Sequence, residues 1–313
     1  MKPYAVFHST RVFAWIKFGL CFFMMALAVG VFALTVGLAM PVSKALGWFL
    51  FVLWLVLCAV VGFFFKKRAL SFLEASHISA ISRCYTTGRI DPEQFDRARA
   101  AAHARFRSVK GYLQLHRICY RSVRQQQIYF ETVTDEMDDV AGMKTLLSIG
   151  LYIKHLMLRF VADACIGYIC WCRDLNVFAA MREAVAVYAY NWRRLTDKAG
   201  EQAFAMIAST LVGAALAAFG LTKLFVLIGL SKYTYLAVLL GIVLVLSLRY
   251  AFLDSYYTCA SMKALLDNAQ ATVLSDDLYD RLKSISPAYR KVCALADRRA
   301  DGKKRLPPPK AQT

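Results

Sequence analysis

The residues best placed to do chemistry in this chain are charges set inside apolar runs. Lys154, Arg159 and Asp163 interrupt the stretch from Thr145 to Trp171. Lys223 lies about two turns inside a second apolar run, and Arg249 and Asp254 close a third. On insertion scales each such ion costs roughly 2.5–3.5 kcal/mol at mid-bilayer, so ions at that depth tend to pair or to line pathways. Arg159 and Asp163 are four apart and can meet on one helix face. Asp163 ionised without a partner would be costly, and Arg182 or Arg249 is a further partner within reach of other helices. Arg182, Glu183 and Asn191 complete the candidates for a pathway or for buried charge. The chemistry they suggest is passage of a small solute or ion.

Catalytic patterns are missing by comparison. The histidines are His8, His77, His103, His116 and His155, and none sits in an H-E-x-x-H or G-x-S-x-G context. No glycine-rich phosphate loop occurs, so neither an enzyme nor a cofactor is expected. The nine cysteines form no Cys-x-x-Cys, which argues against zinc and redox motifs. Small buried thiols in a reducing compartment explain them. Glu131, Asp135, Glu136, Asp138 and Asp139 form an acidic segment without the alternation or central glycine of a calcium loop. No metal is expected there. Pairing with the basic stripe of Arg107, Lys110, Arg117, Arg121 and Arg124, or an exposed acidic turn, is the reading.

The elements that must position these residues are set by composition. Of 313 residues 58% are hydrophobic, above the 45–50% usual for soluble domains, so the excess must face lipid. Ala203–Tyr257 holds two apolar runs separated by Ser231-Lys232-Tyr233-Thr234. Trp15–Phe65 holds two more, separated by the Pro41–Leu46 segment. Roughly 20 residues at about 1.5 Å each cross a hydrocarbon core of about 30 Å. The first run, Phe18–Ala39, is too long for a signal-peptide core and is expected to be retained.

The fold class expected is therefore an all-α integral membrane protein, with two transmembrane helical hairpins flanking an amphipathic, partly re-entrant or interfacial helical middle. Its segments are an N-terminal hairpin at 1–69, a basic cytoplasmic helical region at 70–144, interfacial or re-entrant helices at 145–200, and a C-terminal hairpin at 201–257. Cytoplasmic helices at 258–300 and a disordered basic tail at 301–313 follow. Gly150 and Gly167 would permit a bend in the re-entrant stretch. Asp91 with Pro92 reads as a helix start, as do Asn176 and Ser286-Pro287. Phe178, Met181, Val185, Tyr188 and Trp192 give one apolar face to an amphipathic helix over Leu175–Lys198, suited to an interface.

The net charge is +18. Cations flank the inner ends of both hairpins, at Lys66-Lys67-Arg68, Arg193-Arg194 and Arg249, and the positive-inside bias then puts both termini in the cytoplasm. If one helix continues through Gly111, Arg107, Lys110, Arg117, Arg121 and Arg124 form a stripe. Such a stripe suits anionic headgroups or a solvated helix face. Expected partners are the bilayer and its anionic lipids, with self-association left open and no nucleic acid.

Several blocks carry resemblances. Ala75-Ser76-His77-Ile78-Ser79-Ala80-Ile81, followed by Thr86-Thr87-Gly88-Arg89-Ile90, resembles a stretch of an uncharacterised family of bacterial multi-pass inner-membrane proteins. Phe160-Val161-Ala162-Asp163-Ala164-Cys165-Ile166-Gly167-Tyr168 is similar to that family's aromatic-V-D-E-A-x-L-x-Y block, with one carboxylate replaced by Ala162. Asn176-Val177-Phe178 and Val187-Tyr188-Ala189-Tyr190-Asn191-Trp192-Arg193 resemble its N-P-W and L-Y-A-Q-N-W-K blocks, without the proline. The family brings no activity with it. Arg182-Glu183-Ala184 with Asn191, and the placement of Asp254–Leu266, more faintly resemble the C-terminal half of choline transporter-like proteins. Two functional readings follow: a permease-like protein for a small solute or ion, or a non-catalytic membrane scaffold holding anionic lipid or a protein partner through its basic layer.

Overall fold

The computed structural model describes residues 1–88, 94–134, 144–231 and 234–304. All its described elements are helices: α1 (Pro3–Ser9), α2 (Arg11–Val42), α3 (Lys44–Phe65), α4 (Ser71–Thr87), α5 (Gln94–Phe106), α6 (Val109–Thr134), α7 (Lys144–Trp171), α8 (Val177–Tyr190), α9 (Trp192–Leu227), α10 (Thr234–Leu248), α11 (Asp254–Ala271), α12 (Asp276–Ile285) and α13 (Pro287–Lys304). Single π-turns, Lys66–Leu70 and Arg249–Leu253, join α3 to α4 and α10 to α11. The Asp91-Pro92 helix start, Asp135–Asp139, Lys232-Tyr233 and the tail from 305 lie outside the described residues. α13 itself continues to Lys304, four residues into the segment read as tail.

Four helices are long and apolar enough to cross a membrane: Arg11–Val42, Lys44–Thr87, Trp192–Leu227 and Thr234–Ala271. The chain divides into two compact units. One, the span unit, comprises Phe7–Glu74 and Phe204–Tyr256. The other, the helical unit, comprises Met1–Val6, Ala75–Ala203 and Tyr257–Thr313.

In the span unit α2 and α3 pack side by side. The Trp54 indole donates to the Ala28 carbonyl at 2.9 Å, and Phe32 lies edge-on to Phe51. Gly47 sits where a Cβ would come within 2.7 Å of Met40, so the close approach there needs glycine. The expected loop after Pro41 shrinks to Ser43 alone. Pro41 falls in the last turn of α2, and the Ser43 hydroxyl accepts from Leu46 N to cap α3. α9 ends in a Schellman motif: Leu230 N donates to Phe225 O at 2.8 Å, Gly229 N donates to Val226 O, and Gly229 takes φ +80°. Gly241 of α10 lies against the α9 backbone at Ala217 and Ala218, where a Cβ would come within 3 Å.

The helical unit is built around α8. Asn176 starts it as expected, its Oδ1 accepting from Phe178 N at 3.0 Å and Ala179 N at 2.8 Å. Almost every later residue of α8 is buried, including Ala179, Ala180, Met181, Ala184, Val185, Ala186, Val187, Tyr188 and Ala189. The expected interfacial helix over Leu175–Lys198 is thus corrected. α8 is a core helix, and Trp192-Arg193-Arg194 opens α9 after a break at Asn191. The alanines explain this, since small side chains on several faces let neighbours approach from more than one side.

α7 is one uninterrupted helix, and the bend expected at Gly150 and Gly167 is absent. Gly167 serves packing, because a Cβ there would run into the Met262 side chain. The helix expected to run through Gly111 breaks earlier, at Arg107 and Ser108. Arg107 adopts φ +62°, Ser108 Oγ accepts from Gly111 N at 3.1 Å, and a Cβ on Gly111 would lie 2.5 Å from Phe106 O.

Candidate functional site

The sequence-selected charges of α7 turn inward, toward partners within the helical unit. Asp163 is buried. Its Oδ1 meets His116 Nε2 at 2.8 Å, and Oδ2 lies 3.8 Å from Arg159 Nε. Arg159 is the partner the four-residue spacing suggests. His116 comes from α6 and has no local signal. One turn from it along α6, Cys119 is fully buried and its thiol points to the Ala162 carbonyl at 3.9 Å.

Lys154 of α7 donates to Glu131 Oε2, so the one described acidic residue of the 131–139 segment pairs with a base outside the expected stripe. Glu131 Oε1 accepts from Gln127 Nε2 at 2.8 Å. Gln127 Oε1 in turn accepts from Tyr188 Oη and from Thr196 Oγ1 at 3.1 Å. The chain Lys154–Glu131–Gln127–Tyr188 therefore links α7, α6 and α8 by polar side chains. Burial pushes the Tyr188 phenol well above its ordinary range, which keeps it a donor.

Gln125, Gln126 and Gln127 project about 100° apart around α6. Gln125 Oε1 accepts from Ser286 Oγ at 2.7 Å and from Ala288 N at 3.0 Å, holding the start of α13. Gln126 is fully buried, with no described partner for its Nε2 or Oε1.

Arg105 was not singled out by any sequence pattern. Its guanidinium donates to one carbonyl in the last turn of α7, Ile169 at 3.0 Å, and to three in the connection that follows: Cys172 at 2.7 Å, Leu175 at 2.8 Å and Arg173 at 3.4 Å. The Ile169 carbonyl is one that a helix end leaves unsatisfied. Burial lowers the Arg105 pKa somewhat and pushes the nearby Cys170 thiol up to about 12. Cys170 is thus held protonated, the inert form of a buried thiol.

The remaining α8 candidates are also engaged. Arg182 reaches Asp297 Oδ1 at 3.4 Å and lies 5.4 Å from the Tyr279 ring centroid, so it does not serve Asp163. Glu183 accepts from Tyr168 Oη at 3.2 Å. Asn191 caps α8 and donates to Thr272 Oγ1 at 3.0 Å.

The basic stripe of α6 faces outward. Lys110, Arg117, Arg121 and Arg124 are all exposed, and the intervening face of Tyr112, Leu115, Cys119 and Val123 is buried. Arg107 is exposed too, but it belongs to the break between α5 and α6 rather than to the stripe.

The span unit has its own ionic cluster. Lys17 is buried, donates to Ser255 Oγ at 3.3 Å and lies 6.0 Å from the Tyr250 ring centroid. Tyr250 Oη donates to Glu74 Oε1 at 2.8 Å, and Arg249 Nε lies 4.0 Å from Asp254 Oδ1. The sequence marked Arg249 and Asp254 as candidates. No sequence pattern singles out Lys17 or connects Glu74 to this cluster. Lys223 is separate, 5.5 Å from the Phe219 ring centroid.

No group of three or more histidine, cysteine, aspartate or glutamate side chains with metal-binding geometry occurs among the described residues. The chain matches no protein-family model, no curated protein and no solved structure, so its functional reading rests on this geometry.

Proposed function

We propose that this protein is a non-catalytic membrane scaffold. The four membrane-length helices anchor it, and the cationic face of α6 engages anionic lipid headgroups on the cytoplasmic side of a bacterial inner membrane. The observation that carries this reading is the contrast within the helical unit. Lys154, Arg159 and Asp163 are engaged by internal partners, while Lys110, Arg117, Arg121 and Arg124 are exposed on one helix face. Near an anionic surface each such cation contributes about 1 kcal/mol, so the four together favour contact by about 4 kcal/mol. The permease-like reading has less support, since its three α7 charges are engaged elsewhere. The hollow between α2 and α3 is also lined by apolar side chains.

The test is arginine footprinting of the full chain in nanodiscs of neutral or partly anionic lipid. Phenylglyoxal should modify Arg117, Arg121 and Arg124 readily in neutral discs and several-fold more slowly in anionic ones. The protection should fade in 1 M salt, where the Debye length falls to about 3 Å. Equal modification in both lipids overturns the proposal.

A further inference from the structure

α3 is an unusual helix even for a membrane. Gly47 is its only buried residue, yet its side facing α2 borders a cavity of about 400 Å3. That volume lies in the range of sites that hold small ligands, about 300–1,000 Å3. Its walls are apolar throughout, from Cys21 to Val31 on α2 and from Trp54 to Phe65 on α3. Gly62 leaves one wall open, because a Cβ there would meet nothing within 4 Å.

Two features identify the occupant. The first is length. Cys21 to Val31, at 1.5 Å per residue, runs about 15 Å, half of a hydrocarbon core of about 30 Å. The groove is therefore as long as one leaflet is deep. The second is charge. The groove ends at Phe65 and Leu70, and the chain between them is Lys66-Lys67-Arg68-Ala69, with Arg68 exposed. A hydrocarbon slot of one-leaflet length that ends at three consecutive cations matches a lipid with an apolar tail and an anionic head.

We propose that the α2–α3 groove is a binding site for one acyl chain of an anionic glycerophospholipid, whose phosphate lies at the turn that follows α3, where Arg68 is exposed. The site rests on the scaffold's topology, in which this turn faces the cytoplasmic leaflet. It is distinct from the α6 stripe, which needs no groove. Trp54 is a built-in reporter. Its indole is fixed to Ala28 O at the end of the groove far from the cations, where the tip of a bound chain would lie.

The experiment uses the full chain with Trp15, Trp48, Trp171 and Trp192 changed to Phe, reconstituted with brominated lipids. Phosphatidylglycerol brominated near its chain end should quench Trp54 at a several-fold lower mole fraction than phosphatidylcholine brominated at the same carbon. Bromine near the headgroup should quench less. Changing Lys66, Lys67 and Arg68 together to Gln should bring the two lipids level, and Gly62→Leu should abolish the excess quenching. In the unaltered chain, native mass spectrometry with added phosphatidylglycerol should show one retained lipid that Gly62→Leu loses. Quenching that follows bulk lipid composition for both headgroups overturns the site while leaving the topology standing. So does a Cys58–Cys58 crosslink between two copies that excludes lipid, since a second chain would then fill the groove.

Discussion

Asp163 lies inside a helical core, where Arg159 of its own helix and His116 of α6 reach its two carboxylate oxygens. Arg159 and His116 are each about a quarter exposed, at 27% and 25%. The loss on removing the carboxylate charge is therefore less than for a sealed ion pair. Asp163→Asn should lower stability in detergent by about 1.5–3 kcal/mol, the range for hydrogen bonds to charged groups. His116→Ala should lose a similar amount, and the double variant less than the sum, because both remove one interaction. Unaltered thermal melting of Asp163→Asn would show that the pair contributes nothing. Gln126 predicts the opposite sign. Its buried amide has no described partner, so Gln126→Met removes an unsatisfied group while keeping side-chain length. It should raise stability by about 1–3 kcal/mol. A lower melting temperature would mean that the amide is satisfied after all. The Arg159 half of the Asp163 site was legible from the four-residue spacing. His116 was not, since it lies 47 positions earlier and meets Asp163 only through the packing of α6 on α7.

At the scale of elements, legibility follows how local the cause is. The four membrane-length helices, the Asn176 cap and the Ser286-Pro287 start each depend on residues within a turn or two, and each could be read directly. Ser286 Oγ accepts from Tyr289 N at 3.1 Å. The α5–α6 break was missed because its left-handed residue is Arg107 rather than a glycine, while the nearby Gly111 serves a close approach to Phe106 O. α8 was misread because its periodic large residues outweighed its alanines in the pattern, although the alanines make it central. Arg105 shows the same limit. Its four acceptors lie 64 to 70 positions away, at the end of another helix and in the connection after it. That clamp yields a further prediction. Lysine is a point donor and cannot satisfy several carbonyls in a fixed fork. Arg105→Lys should therefore fray the end of α7, with faster amide exchange over Cys172–Leu175 and a stability loss of about 1–3 kcal/mol. Exchange there at the wild-type rate would show that the clamp is dispensable.

The whole molecule joins a span unit that leaves much apolar surface exposed to a helical unit with a packed core. Leu34, Leu38, Trp48, Phe63, Leu211, Leu216 and Phe219 are each at least 60% exposed, an apolar surface far beyond what a water-soluble monomer shows. Lipid is the natural cover for it, and the arrangement of cations then sets direction. Lys66-Lys67-Arg68 follows α3, Arg193 and Arg194 open α9, and Arg249 ends α10, whereas the short connection between α2 and α3 is flanked by Lys44 alone. In the proposed topology, which follows the bias of Lys and Arg toward cytoplasmic segments, the three cationic positions lie inside and Ser43-Lys44 outside. Only Ser43 separates α2 from α3, so the two helices must cross in opposite senses, and the orientation of one determines the other. In a cysteine-free variant, Lys44→Cys should react with an impermeant thiol reagent added to intact cells. Arg117→Cys on the α6 stripe and Arg298→Cys on α13 should react only after permeabilisation. All three positions are exposed, so burial cannot mimic protection by the membrane. Labelling of position 298 from outside, with none at 44, would reverse the topology. It would also place the basic stripe on the side of the membrane away from the anionic leaflet it is proposed to bind.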